Sequence, residues 1–259
     1  MTAPLLTATN LRKRFDSRGR TVAALDDVGF EVAPGETLAL VGPSGSGKTT
    51  AARALMRLTE LDGGEIRFDG EDLLALKGAR LRATRARLQM VFQDPRAAFN
   101  PRATVARVLD DPLRIHGISP RGERPQAIAQ LLERVGLSPD LAARAIHEIS
   151  GGQRQRVAIA RAIATHPRLI VLDEAVSALD VSVRGQILEL LLDLQRAQNI
   201  AYLFISHDLG VVRAIAHRVA IMDKGRIVET GKAAKVIASP QSSTGQALVE
   251  AAPKLRHSA

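Results

Sequence analysis

A glycine-rich loop, GPSGSGKTT at residues 42–50, has the residue types and spacing of a phosphate-binding site. It follows the apolar run TLALV and opens a segment with helical spacing, which is the strand–loop–helix setting of a P-loop. Its glycines let the backbone wrap phosphates without interference from Cβ atoms. A chance glycine-rich turn is the competing interpretation, which this setting disfavours.

The polar residues of the loop have separate expected roles. Lys48 is expected to reach the β- and γ-phosphates, Thr49 to ligate Mg²⁺ through its hydroxyl, and Thr50 to contribute a hydroxyl on the α-phosphate side. The predicted nucleotide contacts of the loop are Gly42, Pro43, Ser44, Gly45, Ser46, Gly47, Lys48, Thr49 and Thr50.

Two adjacent acids end the apolar run LIVLDE. Asp173 can hold Mg²⁺ through water, as P-loop hydrolysis requires. Glu174 points to the other side of the strand end, so it is the candidate general base that deprotonates an attacking water. Either acid could instead be only the N-cap of a following helix.

Gln93 and His207 each end another predicted strand, LQMVFQ and YLFISH. The Gln93 amide could reach the metal or the water, and the His207 imidazole could bond the γ-phosphate and position Glu174. Taken singly, a glutamine or histidine at a strand end is commonly structural. Because parallel strands direct their carboxyl ends into one crevice, we expect Gln93, Asp173, Glu174 and His207 to converge beside Lys48.

Two further features suit a nucleotide. Ser150, Gly151 and Gly152 precede a helical run and would present backbone N–H groups at the helix start, where the dipole favours an anion. Phe15 lies among charged residues, which makes it a poor core candidate and a candidate stacking surface for adenine. Simple helix capping and local packing are the respective alternatives.

The composition bounds the possible chemistry. The chain has 259 residues, 46% of them hydrophobic and 3% aromatic, and no cysteine, which excludes disulfides, thiol catalysis and cysteine-ligated clusters. The start has no long apolar region typical of a signal peptide, and no run reaches the roughly 18 apolar residues of a membrane helix. The expectation is a soluble, cytoplasmic-type protein.

The net charge of +9 is concentrated in one segment, 77–107. A solvated helix face plus a loop is the plain interpretation, and contact with an anionic membrane or nucleic acid is the sharper one. Stacking on single-stranded bases is disfavoured because almost no aromatics lie between the arginines. Against the single acid Asp94, the basic residues are Lys77, Arg80, Arg82, Arg85, Arg87, Arg96, Arg102 and Arg107.

Strand and helix signals alternate along the chain, interrupted by a helical block from residue 104 to about 165. This pattern predicts an α/β protein with a parallel-sheet core and an inserted helical subdomain. Finer expectations are a helix from residue 48 that ends at Gly63-Gly64, a helix break at Pro112 and a hairpin turning at Lys224-Gly225. Residues 254–259 are expected to be frayed.

The motifs GPSGSGKTT, FQDP, ISGGQRQR, LIVLDE, SALD and ISHD, in this order, resemble the nucleotide-binding subunit of ABC transporters from about Leu6 to about Pro253. The resemblance implies a RecA-like P-loop NTPase core with an N-terminal antiparallel β subdomain. On this basis the core would comprise 1–93 and 166–231. The helical subdomain would span 94–165, and a C-terminal extension 232–259.

The resemblance also implies how two subunits would share nucleotide. They would sit head to tail, so that Ser150, Gly151, Gly152 and Gln153 of one bind the γ-phosphate of ATP held on the P-loop of the other. Asp180 in SALD would lie at that interface and couple the two sites. Release of the γ-phosphate contacts after hydrolysis would loosen the pair.

The stretch MVFQDPRAAFNPRATV is similar to importers of oligopeptides, dipeptides and nickel. That resemblance implies two membrane permeases, an indirect extracytoplasmic solute-binding protein, no nucleic acid, and a place at the cytoplasmic face of the inner membrane. Ala175 in place of proline is similar to the nickel branch, whereas Ser239 and Gln241 depart from the usual C-terminal segment. The transported cargo stays open, as do the choice between import and export and the choice between a homodimer and a heterodimer.

A non-transport ABC ATPase acting on DNA or ribosomes is the alternative function. Such proteins usually carry coiled-coil arms, zinc motifs or two nucleotide modules, none of which the sequence contains. A small-molecule P-loop kinase would leave SGGQRQR without a role.

Overall fold

The computed structural model describes residues 3–17, 20–94 and 98–251, so Arg96 and the expected frayed end lie outside the described residues. The strands are β1 Leu6–Ser17, β2 Arg20–Val32, β3 Thr37–Val41, β4 Gly63–Phe68, β5 Glu71–Asp72, β6 Leu88–Val91, β7 Leu169–Asp173, β8 Ala201–Ser206, β9 Arg218–Asp223 and β10 Arg226–Lys232. The α-helices are α1 Lys48–Leu55, α2 Gly78–Arg87, α3 Val105–Ile115, α4 Arg124–Arg134, α5 Gly151–Ile163, α6 Val181–Gln198, α7 Leu209–Ile215, α8 Ala233–Ala238 and α9 Ser243–Ala251.

The chain divides into two compact units. The first unit comprises Met1–Ala75 and Ala201–Ala259, and the second comprises Leu76–Ile200. Among the described helices, none combines the length and apolar character that crossing a membrane requires. The predicted boundaries of the helical subdomain stay a prediction.

The first unit contains an antiparallel sheet and a mainly parallel one. The antiparallel sheet has the order β2-β1-β4-β5 and confirms the expected N-terminal β subdomain. In the other sheet β3 lies between β8 and β9 and is parallel to both. The side chains of β3 and β8 are all buried, as the continuous apolar runs predict for parallel strands covered on both faces.

Helices α7 and α8 cover part of this sheet. Two buried residues of each helix pack in one cluster with Ala39 and Val41 of β3 and with Val219 and Ile221 of β9; they are Leu209 and Val212 of α7 and Ala233 and Val236 of α8. Half-buried residues of α9 also pack against this cluster. The C-terminal helix is therefore part of the first unit's core packing.

The structure confirms the hairpin between β9 and β10. Lys224 and Gly225 both have positive φ angles, 45° and 80°, as a two-residue hairpin turn of type I′ requires. The predicted helix from residue 48 is corrected, because α1 ends at Leu55. Arg57 adopts a left-handed conformation at φ 52°, and the N–H of Leu58 closes the helix on the carbonyl of Arg53.

Gly63 and Gly64 belong to β4 and do not terminate a helix. A Cβ atom at Gly64 would lie 2.6 Å from the carbonyl oxygen of Asn10, and its φ is 104°. The glycine is therefore required by the close approach of β1.

The second unit contains a parallel strand pair and most of the helices. Strands β6 and β7 pair in parallel, with Leu88 opposite Leu169. The expected break at Pro112 is wrong, since Pro112 lies inside α3. Burial of one α3 face explains this outcome: the face comprises Val105, Val108, Leu109, Pro112 and Leu113 at helical spacing.

Candidate functional site

The phosphate loop leaves the carboxyl end of β3 and enters α1, as its motif predicts. Close backbone contacts require two of its glycines. A Cβ atom at Gly42 would lie 2.2 Å from the carbonyl oxygen of Met222, and one at Gly47 would lie 2.2 Å from that of Ala24. Gly45, at φ 79°, has open space around its Cα. The loop therefore has the open, glycine-lined surface that a phosphate chain needs.

Lys48 is buried within this loop, with 6% of its surface exposed. Its ammonium group donates to the carbonyl oxygens of Gly42 and Pro43, both at 2.9 Å, and to the hydroxyl of Ser46 at 3.2 Å. These contacts hold a positive charge inside the loop. Thr49 and Thr50, both half-buried, follow it in the first turn of α1.

The β9–β10 turn supports the loop from one side. The N–H of Gly225 donates to the carbonyl oxygen of Ser46 at 3.0 Å. The carbonyl oxygen of Gly225 accepts from the N–H of Asp26 in β2 at 2.8 Å. The shape of the phosphate loop therefore depends on residues far from it in the sequence.

Phe15 lies on β1 opposite Val22 of β2, and both side chains are exposed, at 44% and 57%. The ring therefore lies outside the core, as predicted. Lys13 had no expected role, yet its ammonium lies over the Phe15 ring at 5.4 Å from the centroid. The available signal was the two-residue spacing, which places both side chains on one face of a strand.

His207 is the first residue after β8 and is exposed. The next residue, Asp208, caps α7: its carboxylate accepts hydrogen bonds from the N–H groups of Gly210 and Val211. This cap fixes the backbone on the C-terminal side of His207.

In the second unit, Gln93 and Glu174 are joined directly. Nε2 of Gln93 donates to Oε2 of Glu174 at 2.9 Å. The expectation that Gln93 ends a strand is corrected, because β6 ends at Val91 and pairing with β7 stops at Leu172. Gln93 therefore lies in the connection beyond the strand.

The two acids occupy different positions at the end of β7. Asp173 is its last residue and is 5% exposed. Glu174 is half-buried and has a φ of 47°, a left-handed conformation rare outside glycine. The following helix α6 has Asp180 as its N-cap, so neither acid serves as the cap that the alternative interpretation required.

Ser150 is the N-cap of α5, with a reciprocal capping box. Its hydroxyl accepts from the N–H of Gln153 at 3.2 Å, and Oε1 of Gln153 accepts from the N–H of Ser150 at 2.9 Å. A Cβ atom at Gly152 would lie 2.8 Å from Cγ1 of Val183 in α6. The predicted anion turn therefore packs on the helix that Asp180 begins.

A cavity of about 450 Å³ lies beside these residues in the second unit. Gln93, Asp94, Gly151 and Ala178 are among the residues that line it. Buried Gln155, which had no expected role, also lines it.

The predicted metal ligands are oxygen donors: a hydroxyl at Thr49, an amide at Gln93 and a carboxylate at Asp173. This donor set suits Mg²⁺, which prefers hard oxygen ligands and keeps several waters. The bond from Gln93 to Glu174 uses the amide nitrogen, so the amide oxygen is the atom suited to a cation. Within residues 3–17, 20–94 and 98–251, no group of three or more His, Asp or Glu side chains is placed to hold a metal.

The structure thus brings together Gln93 with Glu174, and the Ser150 turn with the start of α6. Lys48 and His207 belong to the first unit, and Gln93, Asp173 and Glu174 to the second. Their convergence stays a prediction.

Comparison of the sequence with known proteins identifies the family to which this chain belongs. Residues 25–177 match the family described as ABC transporter. The glutathione import ATP-binding proteins GsiA of Escherichia coli O6:H1 and of Shigella flexneri are each 52% identical to this chain in an alignment of 257 positions, which covers 96% of the chain. The chain spans 41% of the length of these relatives.

Solved structures give the same grouping. A dimeric ATP-binding cassette in a post-hydrolysis state with ADP and Pi has a TM-score of 0.79 and 28% identity, covering 88% of this chain and 98% of its own. CbiO1 from Clostridium perfringens, part of the ABC transporter complex cbiONQ, has a TM-score of 0.79 and 26% identity, covering 91% of each chain.

Proposed function

This chain belongs to the ABC transporter family, and from that premise we propose that it hydrolyses ATP to power the import of a solute, with peptides as the cargo class. Glutathione, named in the GsiA relatives, is a tripeptide. Those relatives favour the peptide branch of the sequence expectation over the nickel branch.

One chain contains two separate turns that are suited to binding phosphate, and this observation carries the proposal. One is the phosphate loop with Lys48, and the other is the capped helix start at Ser150–Gln153. A single nucleotide needs one such loop, whereas a head-to-tail pair uses both, each chain adding its Ser150 turn to the ATP of its partner. The family's dimeric post-hydrolysis cassette supports this arrangement.

The chemistry is the in-line attack of water on the γ-phosphorus. As the new P–O bond forms, the bond to the ADP oxygen breaks, and Glu174 takes the proton from the water. Gln93 orients the Glu174 carboxylate through their 2.9 Å hydrogen bond. Lys48 stabilises charge on the phosphate oxygens, and His207 bonds the γ-phosphate.

Thr49, Gln93 and Asp173 are the residues that would hold Mg²⁺, which neutralises phosphate charge when bound. Phe15 would stack on adenine. Thr50 and the remaining loop residues other than Pro43 would contact the phosphates through their N–H and hydroxyl groups, whereas Pro43 has neither group and would contact the nucleotide only through its other atoms.

The partners follow from the same proposal. A second ATP-binding subunit completes the nucleotide sites, and two permeases transmit the change to the solute path. Residues 94–145 and the connection after Gln93 are the proposed permease contact, which places the chain peripherally at the inner face of the membrane. Asp180, at the start of α6, would lie at the subunit interface.

Phosphate release by the purified chain with ATP and Mg²⁺ tests this proposal. Glu174→Gln should lower turnover by at least about 100-fold, because the general base is lost, while ATP binding and the ATP-dependent dimer persist. Glu189→Gln, an exposed acid on α6, is the matched control and should retain turnover. Unchanged turnover in Glu174→Gln would remove Glu174 from the base role. A strictly monomeric Glu174→Gln protein in ATP would overturn the shared-site arrangement.

A further inference from the structure

We propose that Lys13 and Asp62 are positioning residues for the nucleotide base. They hold the ring of Phe15 so that one of its faces is covered by a cation and the other receives adenine. The inference rests on the proposed stacking role of Phe15, and it gives Lys13 and Asp62 a role toward nucleotide.

Lys13 lies over the ring of Phe15. The two residues lie two positions apart on β1, and the Lys13 ammonium is 5.4 Å from the Phe15 centroid. A cation at this distance over an aromatic face is attracted by the ring quadrupole. The Lys13 side chain is only 16% exposed, so it is not a mobile surface lysine, whereas Phe15 is 44% exposed.

Asp62 fixes the position of Lys13. Oδ1 of Asp62 accepts from the Lys13 ammonium at 3.0 Å, and Oδ2 accepts from the backbone N–H of Arg14 at 2.6 Å. Both carboxylate oxygens therefore bind β1, one at the Lys13 side chain and the other at the backbone of the next residue. The lysine hydrogen bond, followed by the Arg14 backbone bond, lowers the pKa of Asp62, which keeps the carboxylate charged.

The backbone fixes Asp62 in turn. Its N–H donates to the carbonyl oxygen of Arg12 at 2.9 Å, and the next residue, Gly63, pairs with Arg12 in the β1–β4 ladder. The carboxylate is thus anchored to the strand that carries Phe15. A chain of contacts runs from the sheet through Asp62 and Lys13 to the ring.

The position of Lys13 determines which face of the Phe15 ring can take a base. The phenylalanine side chain has no hydroxyl or N–H group that could fix its orientation by a hydrogen bond, so the angle of its ring depends on packing. Lys13 occupies one face, which leaves the opposite face for adenine. The ammonium also draws π density toward itself, which makes the free face a better partner for an electron-rich purine.

A simple surface ion pair is the competing explanation for Lys13 and Asp62. Exposed pairs of this kind contribute little, and breaking one would not alter nucleotide affinity. The two explanations therefore differ in a measurable property, the affinity for the base as distinct from the phosphates.

The experiment measures dissociation constants for Mg-ATP and for magnesium tripolyphosphate, which lacks a base, by calorimetry on the full chain. Phe15→Ala should weaken ATP binding about tenfold through loss of base stacking. Lys13→Met and Asp62→Asn should each weaken it about two- to fivefold. All three should leave tripolyphosphate affinity unchanged. Lys13→Arg, which keeps the cation, should bind ATP nearly as the unaltered chain does.

Arg12→Met is the matched control, since it removes an exposed charge from the same strand next to Lys13. Thermal unfolding of each variant establishes that the fold is kept. In the double variant Lys13→Met/Phe15→Ala, ATP binding should be no weaker than in Phe15→Ala alone, because the lysine acts through the ring.

The outcomes separate the inference from its premise. An unchanged ATP affinity in Phe15→Ala would remove Phe15 from the base site and the inference with it. Loss of affinity in Phe15→Ala, with normal or tighter ATP binding in Lys13→Met and Asp62→Asn, would overturn the positioning role alone. An equal loss of tripolyphosphate affinity would show a general effect on the phosphate loop and would also overturn it.

Discussion

The side-chain amide of Gln93 is hydrogen-bonded to the carboxylate of Glu174, with Nε2 and Oε2 2.9 Å apart. The two residues follow the neighbouring parallel strands β6 and β7. The hydrogen bond joins the two segments of chain that leave the ends of these strands. An amide that donates to a carboxylate restricts its rotation without protonating it. The candidate base therefore has a fixed orientation in the second unit.

Replacing Gln93 with alanine removes that restriction. We expect kcat for ATP hydrolysis to fall about 10- to 100-fold, because a misoriented base takes the water proton less efficiently. The KM for ATP should change much less, since the phosphate loop provides most of the binding. Steady-state phosphate release measures both constants.

Gln89→Ala is the control for this variant. Gln89 lies on the same strand, β6, and its side chain bonds the carbonyl of Arg85. A similar loss of kcat in both variants would mean that damage to the strand, and not to the Glu174 contact, lowers the rate.

The Ser150 cap has a structural and a functional part, which two substitutions separate. Ser150→Ala should lower the free energy of unfolding by about 1 kcal/mol, because the N–H of Gln153 loses its acceptor. Ser150→Asp keeps a capping oxygen and places a favourable charge at the helix start, so its stability should be normal. Its charge would nevertheless repel a γ-phosphate.

Urea unfolding and light scattering in ATP, in a Glu174→Gln background, measure these two effects. Ser150→Asp should stay monomeric in ATP although it is folded as stably as the unaltered chain. An ATP-dependent dimer of normal strength in Ser150→Asp would exclude contact between this turn and phosphate.

The phosphate-loop glycines should differ in their response to alanine. Gly47→Ala places a methyl group 2.2 Å from the Ala24 carbonyl oxygen at φ 107°, so we expect a loss of about 3 kcal/mol in unfolding free energy. Gly45→Ala meets open space and should lose only about 1 kcal/mol, from its φ of 79°. Denaturant midpoints test the ranking, and equal losses would contradict the contact.

A histidine in the second unit predicts a pH dependence of stability. Burial, and then the positive charge of Arg82, lower the pKa of His116 below its usual 6.5. The folded state therefore binds this proton less readily than the unfolded state does. Its stabilising effect is full above about pH 6.5 and is lost as the pH falls through the lowered pKa.

Unfolding free energies measured between pH 7.5 and pH 5 should decline more steeply for the unaltered chain than for His116→Gln. Arg82→Ala should make the decline in unfolding free energy less steep, because it removes the positive charge that lowers the pKa of His116. Parallel curves for the unaltered chain and His116→Gln would contradict the assigned group.

The sequence predicted most reliably what depends on short stretches of chain. The phosphate loop, the buried strands β7 and β8 and the hairpin turn at Lys224-Gly225 each follow from consecutive residue types. The capping box of Ser150 and Gln153 is equally local, since a serine three residues before a glutamine can satisfy both N–H groups, but helix capping was considered there only as the alternative to an anion site.

Features that depend on distant packing were not predictable in this way. The end of α1 uses a left-handed arginine, Arg57, where a glycine would have been the readable signal. Pro112 stays inside α3 because a buried face outweighs one missing hydrogen bond. The Lys13–Asp62 pair joins residues 49 positions apart, and no local pattern indicates that separation.

The neighbours of β3 bear on how the chain acquires its shape during synthesis. In that sheet its two partner strands, β8 and β9, and the glycine that supports the Ser46 carbonyl all come from residues beyond 200. During synthesis the sequence GPSGSGKTT is therefore complete well before the two strands that flank β3 and before Gly225, although Ala24, which packs against Gly47, has already been made. We expect a chain truncated before residue 218 to be unable to retain nucleotide, because nucleotide binding requires β9 and Gly225 to have been synthesised.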